Sequence, residues 1–237
     1  MAKKGARGPG SGARMLAERV RTARGRSHSS TLWLERQLND PWVKAAKDAG
    51  YRSRAAFKLI QLDEKFDLLK RGQRVVDLGA APGGWSQVAA AKSGQGGSVL
   101  AVDILEMEPL AGVDCMQLDF TEAGADTAVM DRLGGQADIV ICDMAAPATG
   151  HRKTDHLRIV AMAELAHDFA RQVLVQGGAL VIKLLQGGGE NSFLEQVKRD
   201  FADVRFAKPE ASRKDSAESY LVARGFRGGD GGRPDAE

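Results

Sequence analysis

The stretch V-V-D-L-G-A-A-P-G-G-W-S-Q, residues Val75 to Gln87, sets the reading of this chain. Apolar β-branched residues run into Asp77 and then into a turn holding Gly79, Gly83 and Gly84 around Pro82, a strand, a tight turn and the start of a helix. Such a turn lets the backbone approach something closely. It is not the phosphate loop of nucleoside triphosphate sites, because that loop needs a lysine at the helix start and none stands here. It also breaks the dinucleotide pattern GxGxxG, since Ala81 occupies the second-glycine position and Pro82 follows it.

Outward from this turn the chain alternates. Strands are expected at Arg74–Leu78, Ser98–Asp103, Asp114–Leu118, Ala137–Cys142 and Ala179–Leu184, with helices at Trp85–Ala91 and Asp155–Val175. Two helices, one over residues 31–50 and one over 51–66, precede the first strand. The pattern implies a parallel sheet covered on both faces. At the end, helix Asn191–Phe201 leads to strand Val204–Lys208, and only polar residues separate that from strand Ser219–Ala223. Parallel neighbours need a crossover of a dozen or more residues, so these two must pair as an antiparallel hairpin. The expected fold is therefore α/β and Rossmann-like, of the S-adenosylmethionine-dependent methyltransferase kind: a mostly parallel seven-stranded sheet with an antiparallel terminal hairpin and helices on both faces.

At 237 residues, one α/β domain is expected, over residues 31–226. A basic Gly/Arg-rich arm (1–30) precedes it and a Gly-rich tail (227–237) follows, both expected to be disordered. The net charge is +3, but residues 1–30 carry eight Lys/Arg against Glu18, or +7, which leaves −4 for the rest. A basic arm on a mildly acidic body suits contact with a polyanion. No apolar run is long enough to span a bilayer and the first residues lack the apolar core of a secretory signal, so a cytoplasmic location without membrane contact is expected. Cys115 and Cys142 are isolated in apolar surroundings, which excludes a disulfide framework or a CxxC metal pair; no metal site is expected.

An adenosyl ligand without phosphates would use this turn differently. Asp77 could fix the turn, and the backbone at Gly79 and Gly83 could face the ligand. Asp103, ending L-A-V-D, is placed to accept from ribose hydroxyls, and Asp119, in Q-L-D-F, from an adenine amino group. All three acids end strands, the edge at which open α/β sheets bind ligands. The same edge gathers Asp143, after A-D-I-V-I-C, and Lys183, inside the apolar run A-L-V-I-K-L-L. A lysine in a buried strand is costly unless paired, so Lys183 demands a partner. Lys58 and Glu218, taken alone, would read as solvated charges.

Five segments, Y-R-S-R-A-A-F-K-L, the opening turn, C-D-M-A-A, V-I-K-L-L-Q-G and K-P-x-A-S-R-x-x-S-x-E-x-Y, resemble in order those of the FtsJ/RlmE ribosomal RNA large-subunit uridine 2′-O-methyltransferases. The resemblance runs from about Thr31 to Phe226. It implies S-adenosylmethionine as cofactor, bound at Gly83, Trp85, Asp103, Asp119 and Asp143. It also implies a catalytic set of Lys58, Asp143, Lys183 and Glu218 with Lys183 as proton acceptor, and 23S ribosomal RNA on the large subunit as substrate. The chain departs from the family pattern after D-M-A, where relatives often carry Asn and this chain reads A-P-A with Pro147. A neutral Lys183, its pKa depressed by a second cation such as Lys58, would take the hydroxyl proton; alternatively a charged Lys183 steers the oxygen lone pair. A methyltransferase for transfer RNA or an mRNA cap and a non-catalytic RNA-binding factor are the competing readings, and the default oligomeric state is a monomer.

Overall fold

The computed structural model describes residues 25, 27–145, 149–185 and 191–228. The arm expected over 1–30 and the tail over 227–237 fall almost wholly outside these residues, although α1 already begins at His28.

Three helices lead into the sheet. The single helix expected over residues 31–50 is two, α1 (His28–Leu38) and α2 (Pro41–Asp48). The break lies at Asp40-Pro41: a residue before proline avoids the α region, Pro41 needs no N–H at the first helical position, and the Asp40 carboxylate caps α2 by accepting from Trp42 N at 3.0 Å. Helix α3 (Ala55–Phe66) ends at Asp67, whose φ of 55° puts it in the left-handed region. The buried Asp63 holds that corner, its Oδ1 accepting from the backbone N–H of Leu68 (3.0 Å) and Leu69 (2.7 Å) and its Oδ2 meeting Lys92 Nζ at 2.6 Å.

The alternation then follows: β1 (Arg74–Leu78), α4 (Gly84–Ser93), β2 (Ser98–Asp103), β3 (Val113–Gln117), α5 (Ala125–Leu133), β4 (Ala137–Cys142), α6 (Arg152–Val173), β5 (Leu174–Leu185), α7 (Asn191–Asp200), β6 (Phe201–Ala207) and β7 (Glu218–Phe226). Helix α5 is not among the sequence expectations, although Ala125, Val129 and Leu133 make an apolar stripe at i, i+4, i+8. Strand β5 starts five residues earlier than expected because α6 passes into it without a loop; Gly177 at φ 84° then absorbs a register shift against β4.

The seven strands order as β3-β2-β1-β4-β5-β7-β6. All neighbours are parallel except at β7, antiparallel to both β5 and β6, so the terminal hairpin forms as the chain's spacing requires. Alternate residues face opposite layers. One layer is α3 and α4, packed on Val75, Val99, Ile139, Ile141, Val181 and Val222. The other is α5, α6 and α7, packed on Val76, Leu100, Val140, Ile182 and Leu221.

Replacing Asp63 by Ala leaves two buried N–H groups unpaired at the end of the helix that carries Lys58. The expected loss is about 2–4 kcal/mol of unfolding free energy, read from urea melts. An unchanged midpoint would show that the corner does not depend on this carboxylate.

Candidate active site

Strand parity assembles the site. Asp77, Asp103, Lys183, Glu218 and Tyr220 share the parity of Val75, Val99, Val181 and Val222, and Asp143 continues that of Ile139 and Ile141 one residue past β4. All therefore face the layer from which α3 presents Lys58.

The centre of the site is Lys183, 8% exposed. Its ammonium meets Asp143 Oδ1 at 3.1 Å and also donates to the Asp143 main-chain carbonyl. Tyr220 lies directly across the ladder from Lys183, and its hydroxyl donates to the same Asp143 Oδ1 at 2.8 Å. Lys58 Nζ donates to the Tyr220 hydroxyl at 3.1 Å and pairs with Glu218 Oε1 at 2.8 Å. Ser212 Oγ donates to Glu218 Oε1 at 2.8 Å. The four residues expected to form the catalytic set thus lie in one network. Its hinge, Tyr220, is a residue to which the sequence reading gave no role, although it closes the last motif. The available signal was the spacing in E-S-Y, which puts Glu218 and Tyr220 on one face of a strand.

Burial by itself would raise the Asp143 carboxyl, but the charges of Lys183 and then Lys58, with the Tyr220 hydroxyl, outweigh it and hold Asp143 below the usual carboxylate range. Burial first, then Asp143 and Glu218, push the Tyr220 phenol well above its ordinary value, so it acts as a neutral donor. Burial likewise pushes the Cys142 thiol up to about 12, leaving it an inert core residue.

Beside this network lies the edge expected to hold the adenosyl ligand. At Gly79 (φ 76°) a Cβ would come within 2.6 Å of Met144, so this glycine lets the chain leaving β1 pack closely against the residues that follow its parallel neighbour β4. At Gly83 (φ 105°) a Cβ would meet the Arg52 guanidinium at 3.2 Å. Asp103 accepts from Ala81 N through Oδ2 and from Leu105 N through Oδ1, both at 2.8 Å, which fixes its carboxylate against the turn while each oxygen keeps a further lone pair. Asp119 accepts from Thr121 N and Oγ1 through one oxygen, Oδ1, bonds that draw its carboxyl below the usual range.

Asp77 is fully buried and its Oδ2 accepts from Ser86 Oγ at 2.6 Å, tying β1 to α4 across the turn from beneath. The Trp85 indole is 2% exposed, donates to the Ala55 carbonyl at 2.7 Å and packs near Tyr220, so only its backbone borders the turn. The departure at Pro147 falls in residues 146–148, outside those described.

These residues fit S-adenosylmethionine. Burial first, with Asp143 and Asp103 adding repulsion, outweighs the Ser86 hydrogen bond and lifts the Asp77 carboxyl to about 7. Three crowded carboxylates suit a ligand carrying a sulfonium and an ammonium.

A family model described as FtsJ-like methyltransferase matches residues 51–226. A ribosomal RNA large subunit methyltransferase E from Azorhizobium caulinodans is 59% identical over 219 residues, 91% of each chain. One of the same name from Paramagnetospirillum magneticum is 57% identical over 226 residues, 93% of each chain. The structure resembles one described as a ribosomal RNA methyltransferase from Plasmodium falciparum, with a TM-score of 0.66, 29% identity, and 75% of this chain and 100% of the other covered. A hemolysin structure from Streptococcus thermophilus, 18% identical with a TM-score of 0.51 over 76% of this chain and 70% of that one, shares the fold alone.

The raised Asp77 carboxyl carries a sign. The folded state binds this proton more tightly than the unfolded chain, so its contribution to stability is complete below the unfolded value and is lost as pH rises through about 7. Between pH 5 and 8 the wild type should lose about 2–3 kcal/mol that Asp77→Asn keeps, measured by urea unfolding across that range. Parallel pH profiles for the two proteins would contradict the assignment.

Proposed function

The chain belongs to the FtsJ-like methyltransferase family, and from that premise we propose that it methylates the ribose 2′-hydroxyl of a uridine in 23S ribosomal RNA on the large ribosomal subunit. The methyl donor is S-adenosylmethionine. The relatives' name supports a large-subunit RNA substrate, and the motif set supports the 2′-hydroxyl. The single observation that carries the chemistry is the buried Lys183–Asp143 pair at the mouth of the cofactor edge. The reading places the enzyme in the cytoplasm as a monomer; among the described residues no helix is long and apolar enough to cross a membrane.

Bound S-adenosylmethionine supplies an electrophilic methyl on a positively charged sulfur. The chain's residues have to place a weakly acidic hydroxyl in line with it and dispose of one proton. Asp103 would hold the ribose end of the cofactor and Asp119 the adenine end, with Gly79, Gly83 and the Trp85 backbone bordering the turn between them. Asp77 and Asp143 oppose the cofactor's positive charge. Lys183 meets the hydroxyl oxygen. A Lys183 amine that has first released its own proton to solvent would accept the hydroxyl proton as the methyl passes from sulfur to oxygen, the S–C bond breaking and the sulfur leaving as a neutral thioether. Lys58 and Glu218, joined through Tyr220, keep Asp143 and hence Lys183 in place.

The close ion pair with Asp143 favours a second reading, in which Lys183 stays an ammonium, donates to the hydroxyl oxygen and turns its remaining lone pair toward the methyl. The single-turnover pH profile separates the two: proton acceptance gives a rate that rises with pH until the lysine has lost its proton, whereas steering gives a flat one.

Labelled S-adenosylmethionine should methylate undermethylated large subunits at one mappable ribose; labelling of transfer RNA alone would overturn the substrate. Lys183→Ala should slow transfer by about 10²–10⁴ with cofactor affinity kept. Asp103→Ala should instead weaken cofactor affinity by about tenfold or more, the equivalent of one lost charged hydrogen bond. The reverse pattern would exchange the two roles.

A further inference from the structure

Strands β1 and β2 are joined through α4, and β4 and β5 through α6, but β2 and β3, also parallel neighbours, are joined by residues 104–112 without a helix. A parallel crossover usually takes a dozen or more residues and a helix that packs it onto the sheet. This one is a bare loop returning from the end of β2 to the start of β3, and it begins directly after Asp103, the acid assigned to the ribose end of the cofactor. Its first two residues, Ile104 and Leu105, are 58% and 64% exposed. A segment with so little backbone pairing of its own has to be held from outside.

Arg52, in the connection between α2 and α3, holds it. The guanidinium Nη1 donates to the Glu108 carbonyl at 2.7 Å and to the Pro82 carbonyl at 3.3 Å, and Nη2 donates to the Pro109 carbonyl at 2.7 Å. One side chain thus ties the loop after Asp103 to the β1–α4 turn, whose Ala81 N–H already donates to Asp103. The surroundings fit this placement. A Cβ on Gly83 would meet Arg52 Nη1 at 3.2 Å and Cδ at 3.3 Å, and Leu110 at 3.7 Å, so turn, arginine and loop pack against one another. The main chain of the arginine is fixed as well: Arg52 N donates to Gln87 Oε1 at 2.7 Å, and Gln87 Nε2 donates to the Gly50 carbonyl at 3.1 Å. All the guanidinium bonds end on main-chain carbonyls, so the fork works as a bracket between two backbone segments, a geometry that a lysine point charge does not reproduce.

We propose that Arg52 is a positioning residue for the cofactor: by bracketing the β2–β3 loop to the β1–α4 turn it keeps that loop, with Asp103 at its start, in the shape that binds the adenosyl group. The inference rests on Asp103 holding the ribose end of the cofactor, as in the proposed function, and adds the group that prepares that end. A site that must first order a loop binds with an affinity reduced by the fraction of time the loop is competent.

Arg52→Gln and Arg52→Lys test it in the full chain, with S-adenosylmethionine and its demethylated product S-adenosylhomocysteine as probes in calorimetric titrations that need no RNA. If release leaves the loop competent about one-tenth of the time, Arg52→Gln raises both dissociation constants about tenfold. Single-turnover methyl transfer at saturating cofactor and KM for undermethylated large subunits should both stay within about twofold of the wild type, the split expected when cofactor binding alone is lost. Arg52→Lys should recover only a small part of the affinity, since it keeps the charge and loses the fork. Amide hydrogen exchange supplies a readout that a general loss of stability would not give: residues 104–112 should exchange faster in Arg52→Gln while β1 and β2 keep their protection. Cofactor affinity and loop exchange at wild-type values, or a loss confined to RNA, would overturn the assignment. Asp103→Ala separates this inference from the reading beneath it. If Asp103→Ala binds cofactor as the wild type does and Arg52→Gln does not, the ribose assignment fails and the bracket stands; if Asp103→Ala weakens binding and Arg52→Gln does not, the bracket alone fails.

Discussion

A lysine ammonium held inside a mostly parallel sheet is the constraint to which the rest of this molecule answers. Lys183 sits where β5 has β4 on one side and β7 on the other, and an unpaired charge there would be prohibitive. Asp143 supplies the counter-charge because β4 ends one residue before it, beside β5. Asp143 in turn is confined by the Tyr220 hydroxyl, and Tyr220 by Lys58 and Glu218. Breaking one member leaves another buried charge exposed to the same penalty, so the network stabilises as a unit. The reversed strand β7 is essential to it: antiparallel register sets Tyr220 opposite Lys183, and the two-residue period brings Glu218 onto the same face.

The cofactor edge follows from the same geometry. Successive parallel strands end side by side, so acids at or near their ends fall along one rim. Asp77, Asp103 and Asp143 crowd there, and the mutual repulsion that lifts Asp77 prepares the rim for a positively charged ligand. Departures of the β1–α4 turn from the dinucleotide pattern have local causes. Ala81 donates its N–H to Asp103, Gly83 makes room for Arg52, and Gly79 makes room for Met144.

Much of this was legible in the sequence. Alternating apolar strands and the short polar link before Ser219 defined the sheet and its antiparallel end, and Lys183 identified itself by an apolar run with one charge in it. What escaped did so for physical reasons. The break between α1 and α2 hangs on one Asp-Pro step within an otherwise helical pattern. Helix α5 buries a stripe of only three residues. Tyr220 and Trp85 both carry an apolar ring and one polar atom, and which way each turns depends on packing between elements distant in sequence: Trp85 toward Ala55, Tyr220 toward Asp143. A polyanion-binding surface is expected from the basic arm, which lies almost wholly outside the described residues.

The central claim is that Lys183 and Asp143 act as one pair on the attacking hydroxyl. Single-turnover methyl transfer in Lys183→Met, Asp143→Asn and the double variant tests it most directly. The account predicts strong non-additivity, with the double variant about as slow as the worse single one, as for groups that work as a unit. Losses that multiply, each residue slowing transfer independently of the other, would contradict it.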